Sequence, residues 1–482
     1  MSASWAAAER GRSMLRPSLR RRELGLLLLV ALALLLGRAS FSSTLAGRPE
    51  LGDLRLLGVY LAAVLAVHVG FVLAGRRMDQ ILFPTVALLG GLSLLVMERL
   101  PQDLVVQQIG GHALGLAQLQ LGWLLLSLVV VAVLAIAVRS DNWLRLYKYT
   151  WAAAGIALLL AVFAFGRDVN GAQLDLCVGP ICGQPSEPLK VIMVVFLAGY
   201  LAEHRDLLAR ASLRVGPVGL PPLSYLLPMG AMLGIALGVV IFQRDLGSAL
   251  LYFLVFLLLL YVATERLSYV VVGLALFLAG SAALYELYPV VRLRVDIWLN
   301  PWSDPQGAGY QTLRALYALG TGGILGTGLG AGLPTVGGAP AIPVVQSDFV
   351  FAAIADELGL LGALVVLACY LVIAERGLRI AATAQDDFRS LLAAGLTLVM
   401  VVQAAIIIGG NIKLVPLTGI TLPFVSYGGS SLVANALAVG LLLALSDRGV
   451  EPPPPPRVPR RRPWAQEVSV VESRPISAGG AS

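Results

Sequence analysis

The chain has 482 residues, of which 58% are hydrophobic and 13% charged, and its mean hydropathy is +0.83. Globular chains average roughly 45–50% apolar residues, so this composition excludes a soluble multidomain enzyme and defines an integral membrane protein. A formal charge of +7 would suit nucleic acid in a soluble chain, but here most Lys and Arg sit between apolar runs, where they set membrane orientation.

A helix needs about 20 apolar residues to cross a bilayer. Such runs begin near Leu24, Leu54, Gln80, Leu119, Tyr147, Leu189, Ser224, Ser248, Ser268, Val350, Leu391 and Leu432. The predicted fold is an all-α polytopic membrane protein of about 12 transmembrane helices with one large extracellular loop. The first run has a basic approach, RPSLRRRE, and a short core, as a signal peptide would. GRASFSS offers no good A-x-A cleavage site, and an even number of crossings returns both termini to one side, so it reads as an uncleaved helix with cytoplasmic ends. The 61 residues from Pro289 to Phe349 carry three basic residues, Arg292, Arg294 and Arg314, whereas Glu375 to Ser390 carries three in sixteen. The positive-inside rule then puts the long loop outside.

Along the chain, Cys177 and Cys182 share one outward loop, LDLCVGPICG, where a small disulfide ring and two unpaired thiols are both open readings. Cys369 lies in a predicted helix and reads as packing. Glu187 and Lys190 stand at i,i+3 and can pair at a helix start. Gln243, Arg244 and Asp245 form the turn QRDLG, in which Arg244 could attract a pyrophosphate or Asp245 could simply bond nearby backbone. The loop 289–349 far exceeds the usual connection of about 4–6 residues. Its aromatic residues, an amphipathic stretch around Gln311 to Leu319 and a glycine run argue against disorder and leave a plugging re-entrant hairpin as the plain alternative. Arg292 and Arg294 alternate there as candidate phosphate ligands or lipid-headgroup contacts.

The loop ends in SDFVFAAIADELG, 347–359. From residue types alone, Ser347 and Asp348 suit a helix N-cap. Asp356 and Glu357, more than two turns deeper, are the costlier ionisable pair. TLPFVSYGGSS then offers a bent backbone with the hydroxyls of Ser426, Tyr427, Ser430 and Ser431, or helix-breaking geometry alone. His68, His112 and His204 are scattered, against a metal cluster. The tail EPPPPPRVPRRRPW reads as a disordered basic linker near anionic lipid.

Several of these segments together resemble the SEDS family (shape, elongation, division and sporulation proteins), RodA/FtsW-like. The resemblance is carried by NGAQLDLCVGPICGQPSEPLK (170–190), FQRDLGSALL (242–251), NPWSDPQGAGYQ (300–311), GTGGILGTGLGAG (320–332), SDFVFAAIADELG and PLTGITLPFVSYGGSSLVAN (416–435). It implies a ten-helix core over 79–446, preceded by two extra helices in 1–78 and followed by the tail 447–482. It further implies a peptidoglycan glycosyltransferase that polymerises lipid II on the outer face of the cytoplasmic membrane beside a class B penicillin-binding protein, among membrane lipids and without nucleic acid.

By the family motif Asp348 is the catalytic acid residue, a general base or the ligand of a divalent cation such as magnesium or manganese. The same pattern implies substrate contacts for Glu187, Lys190, Gln243, Arg244, Asp245, Arg292, Arg294, Ser426, Tyr427 and Ser430, with Glu357 as structural support. The chain departs from the family after NGA, where members commonly carry a tryptophan and basic residues and this one has Asp175. A lipid II flippase and a non-catalytic scaffold for a transpeptidase are the alternative functions.

Overall fold

The computed structural model describes residues 20–46, 54–109, 112–169, 172–178, 181–209, 213–215, 218–220, 223–332, 335–336 and 339–447; the Pro/Arg-rich tail lies outside the described residues. Two helices lead, α1 (Arg21–Ala46) and α2 (Arg55–Leu73). They are followed by α3 (Leu82–Arg99), α4 (Leu116–Ala137), the short α5 (Asn142–Leu146) and α6 (Lys148–Phe165). Next come α7 (Ser186–Ala209), α8 (Leu223–Phe242), α9 (Leu246–Thr264) and α10 (Leu267–Leu287). The long loop is not irregular throughout, for it contains α11 (Pro289–Leu299) and α12 (Tyr310–Gly322). The chain continues with α13 (Val350–Ala382), α14 (Asp387–Asn411) and α15 (Gly429–Leu445).

Each apolar run read from the sequence falls in one of these helices, as it must where lipid offers the backbone no hydrogen-bond partner. Among the described residues, eight helices are long and apolar enough to cross a membrane, and shorter apolar helices lie at Lys148–Val162, Leu227–Phe242 and Gly429–Leu445. The few strands form only local antiparallel hairpins. One sheet, Arg167–Val169, Ala172–Val178 and Ile181–Gly183, sets Cys177 opposite Cys182, and the two are disulfide-bonded.

α14 runs through the centre, packed on α7, α9 and α13 and buried over most of its length, whereas α10 buries Tyr269 alone. α15 packs against α4, and α1 and α2 lie against α3 and α4.

One end of the bundle is held by arginines that cap helix C-termini. The last carbonyls of a helix lack intrahelical donors, and a guanidinium can serve several of them at once. Arg76 donates to Ile136 O (2.7 Å) and Val138 O (3.0 Å) at the end of α4, and pairs with Asp447 at 2.6 Å just after α15. Arg205 donates to Ala263 O at the end of α9 (3.0 Å). Arg20 bonds the carbonyls of Arg76, Met78 and Asp79 and also Glu23, which faces His68 at 2.6 Å. This joins the two leading helices to the rest of the bundle.

Arg76 and Asp447 are both largely buried, so Arg76→Ala takes the guanidinium from a buried carboxylate that keeps the Arg77 N–H at 3.0 Å, at a cost of about 3 kcal/mol. The expected result is a clear fall in melting temperature in detergent, smaller in the Arg76→Ala/Asp447→Ala double variant. Equal losses in the two would show that the ion pair is not what matters.

Candidate active site

Asp348 sits where the long loop turns into α13, and the main chain around it is held on three sides. Tyr427 N–H donates to Gln346 O (2.8 Å), the Ser426 hydroxyl donates to Ser347 O, and Asn411 Nδ2 donates to Asp348 O (2.8 Å). Asn411 Oδ1 also accepts from Ala352 N–H at 3.3 Å, so one buried amide fastens both sides of the helix start. The capping role that residue types suggested for Asp348 is not realised: Phe349 is the N-cap and makes no side-chain cap bond, and the Ala352 N–H in the first turn is met by Asn411 instead. The half-buried Asp348 carboxyl is pushed up to about 6 by burial, against the opposing effects of a hydrogen bond with Ser347 and the charge of Arg294.

Arg294 comes from α11 and donates to Thr418 O at 3.3 Å. The Trp298 indole on the same helix donates to Lys413 O (3.1 Å), so α11 is pinned across the segment that follows Asn411. The start of α9 packs on that segment so closely that a Cβ at Gly247 would lie 2.7 Å from Thr418 O.

Below this level a polar network crosses four helices. Lys190 Nζ is 2.6 Å from Glu187, 2.7 Å from Gln403 Oε1 and 3.1 Å from Asn435 Oδ1, and Lys190 is 1% exposed. Gln403 Nε2 donates to Thr421 O (2.8 Å), and the Thr421 hydroxyl bonds Ser431 at 2.6 Å. At the head of α9, Asp245 accepts from Gln184 (2.9 Å), Ser186 (3.2 Å) and Ser248 N–H (3.1 Å). Burial raises its carboxyl above the ordinary range, and the bonds from Ser248 and Ser186 oppose the shift.

The deeper acids serve a break in α13. Gly359 has φ +66 and ψ −166, which no helix accommodates, and the glycine loop after α12 repairs the gap. Thr327 N–H and Gly328 N–H donate to Asp356 O and Glu357 O, each at 3.0 Å. In return, Leu360 N–H reaches Gly323 O (2.9 Å) and Leu361 N–H reaches Ile324 O (3.2 Å). The Asp356 side chain accepts from Thr321 (2.7 Å), and Glu357 pairs with Arg99 at 3.3 Å. Both acids are buried and engaged in this splice.

The remaining predicted positions divide. Arg292 does not join Arg294: it pairs with Glu286 (3.0 Å) and lies over Tyr285, because alternate residues of a helix point about 200° apart. Arg244 is exposed on a left-handed turn (φ 63), with Gln243 buried beside it. Ser426 is buried, its hydroxyl donating to Ser347 O and accepting from Leu422 N–H (2.9 Å), so it shapes the loop. The Tyr427 phenol bonds Trp123, and Ser430 stands across from Gly183. Sequence reasoning missed Asn411, Gln403, Asn435, Gln184 and Thr421. The signal was present for Gln403 and Asn435, polar amides inside apolar runs, where membrane cost demands a partner. Among the described residues, no group of three or more His, Cys, Asp or Glu is placed to hold a metal ion.

Apolar membrane-length helices, with a carboxyl and a guanidinium brought together where the long loop enters α13, define a polytopic membrane protein with a charged site at the end of its helical bundle. Residues 79–449 match the profile of the cell cycle protein family of FtsW, RodA and SpoVE, and the chain belongs to that family. The peptidoglycan glycosyltransferase RodA of Mycobacterium tuberculosis is 39% identical over 371 residues, 76% of this chain and 78% of that one. The probable peptidoglycan glycosyltransferase FtsW of Thiomicrospira cyclica is 36% identical over 317 residues, 65% of this chain and 78% of that one.

Among solved structures, a chain from work on the structural coordination of polymerization and crosslinking by a peptidoglycan synthase complex superposes with a TM-score of 0.61 at 27% identity. It covers 77% of this chain and 98% of its own. The rod shape determining protein RodA of Thermus thermophilus shares the fold, with a TM-score of 0.52 at 24% identity over 78% of this chain and 99% of that one.

The splice can be tested through its glycines. Gly326 has φ +83, and a Cβ there would lie 2.2 Å from Glu357 O, whereas a Cβ at Gly320, an exposed position of α12, would have nothing within 4 Å. Gly326→Ala is expected to cost about 1–3 kcal/mol, and Gly320→Ala to leave the melting temperature unchanged or slightly raised.

Proposed function

We propose that this chain is a peptidoglycan glycosyltransferase that polymerises lipid II at the outer face of the cytoplasmic membrane, with Asp348 as the general base. The observation that carries the reading is the arrangement at the mouth of α13. There the main chain of 346–348 is fixed by Tyr427, Ser426 and Asn411, while the Asp348 carboxyl stands near the Arg294 charge. Family membership and glycosyltransferase relatives support the same chemistry.

In the transfer, the acceptor sugar's 4-hydroxyl oxygen forms a bond to the anomeric carbon of the donor as the bond from that carbon to the pyrophosphate oxygen breaks. The hydroxyl proton passes to the Asp348 carboxylate, and the electron pair leaves with undecaprenyl pyrophosphate. In this reading Arg294 meets the negative charge that accumulates on the leaving group. Glu187, Lys190 and Asp245 form the polar wall beneath, holding α7, α9, α14 and α15 in register. A divalent cation fits this site only as a shared ligand: Asp348 is a single carboxylate, so magnesium or manganese would be held jointly by Asp348 and the substrate phosphates, supplying charge against the pyrophosphate.

The arginine-rich end suits the cytoplasmic side by the positive-inside rule, which turns the Asp348 end outward and puts both termini in the cytoplasm. The partner in this reading is a class B penicillin-binding protein that crosslinks the nascent glycan, by analogy with the synthase complex whose chain this one resembles.

The test is glycan formation from lipid II by the chain copurified with its transpeptidase partner. Asp348→Ala and Asp348→Asn are expected to lose at least about 100-fold in rate. Polymer made equally by these variants would sink the assignment, and lipid transfer across vesicles without polymer would mark a flippase. Because the base acts only when deprotonated and its carboxyl titrates at about 6, kcat/KM is expected to fall as pH drops through about 6 and to hold level above it. A profile for the native chain that is flat from pH 5 to 8, a range set around the ordinary carboxyl and imidazole values, would assign Asp348 another role.

A further inference from the structure

We propose that α1, which precedes the family-matched region, is a positioning element of the transfer site and acts through Arg38 and Phe41; this rests on the reading of Asp348 given above. A closed ring of contacts carries the inference. Arg38 NH1 meets Glu98 at 3.1 Å, and the next residue of α3, Arg99, meets Glu357 at 3.3 Å. Glu357 is bonded by the backbone N–H of Gly330. The Phe41 ring lies against Gly330, where an added Cβ would come within 3.0 Å of it, and Arg38 sits 5.1 Å over the same ring. The ring therefore runs from α1 to α3, to α13, to the glycine loop and back to α1, and the side chains of its two ion pairs are 5–17% exposed.

The place where this ring closes gives it leverage. Gly359 interrupts α13, so the segment Val350–Leu358 is a short lever whose direction is not fixed by the longer half of the helix. The glycine loop splints that break, bonding Asp356 and Glu357 on one side and Leu360 and Leu361 on the other. Asp348 lies at the far end of the lever, nine residues from Glu357, about 13 Å along the axis. A small rotation at the splint becomes a displacement at the carboxyl, and α1 is the element that backs the splint. At Gly37, one residue before Arg38, an added Cβ would lie 3.2 Å from Leu95 and 3.6 Å from Leu329, so α1 runs close to α3 and to the loop together.

The experiment uses the full chain with its partner in nanodiscs, with lipid II as substrate. Arg38→Ala and Phe41→Ala are expected to lower kcat roughly tenfold with KM for lipid II little changed, because the substrate itself is not touched. Arg38→Lys should recover part of the loss. Phe41→Leu, which keeps apolar volume without the ring, is the milder companion should an alanine variant fold poorly. Leu28→Ala, on the exposed face of α1, should behave as the native chain. Hydrogen exchange of the backbone from Ser347 to Glu357 should quicken in the alanine variants.

A full kcat in both alanine variants, or a rise in KM alone, or unchanged exchange in that segment, would overturn the proposal. These outcomes are separable from failure at Asp348. If Asp348→Asn polymerises normally, the site reading fails whatever α1 does; if it is dead while Arg38→Ala and Phe41→Ala are fully active, only the role of α1 fails.

Discussion

The structure depends on a rule of the bilayer, that a backbone N–H or C=O without a partner in hydrocarbon costs several kcal/mol. The break at Gly359 frees such groups in the middle of α13, and the loop from Gly322 to Gly332 is the piece of chain that supplies their partners. This accounts for the glycine run physically. A Cβ at Gly322 would lie 2.0 Å from Ala355 O, and one at Gly332 would lie 2.6 Å from the Glu357 side chain, so backbone can lie on backbone only where side chains are missing. Once the loop is committed to that course, the chain that returns through Val344 to Asp348 starts from a fixed point.

Charge inside the bundle follows the same economy of partners. Removing an ion from water costs several kcal/mol unless its neighbours replace the lost hydration. Lys190 has one carboxylate and two amide oxygens. Arg76 has a carboxylate and two carbonyls. Glu357 has a guanidinium and a backbone N–H. Each of these groups makes three elements agree on one geometry, so the polar interior specifies which helices meet rather than adding much to stability. Asp348 differs in kind: its neighbours hold its main chain, and burial lifts its carboxyl toward neutrality, where a proton can be accepted and given up.

Much of this was legible in the sequence. The apolar runs fix the helices because length and hydropathy are local properties, and Glu187 with Lys190 could be paired from spacing alone. What required the structure was everything set by distance along the chain. Gln403 and Asn435 are 213 and 245 residues from the lysine they bond. Arg292 and Arg294 looked like a pair, but a helix sends alternate residues to opposite faces, and of the two it is Arg294 whose charge acts on Asp348, while Arg292 pairs with Glu286. The plain cap reading of Asp348 failed because α13 begins one residue later, with Phe349 as its cap, and Asn411 takes over the task of holding the turn. Cys177 and Cys182 stayed undecided until a hairpin set them opposite one another.

Depth decides between the acids of the segment 347–359. Asp356 and Glu357 are the more enclosed, and enclosure alone would favour them as the tuned catalytic groups. A sugar headgroup tethered to a polyprenyl tail stays at the membrane surface, however, and Glu357 lies about 13 Å along the helix from Asp348, behind a loop that is bonded to it on both strands. To reach it the substrate would have to displace Gly328 and Gly330 and leave the broken helix without its partners. Asp348 can be approached without disturbing a single one of those bonds, because the groups that fix it grip its main chain and that of its neighbours. Which of the three acids a surface ligand can meet is thus set by the backbone splice, which engages Asp356 and Glu357 and not Asp348.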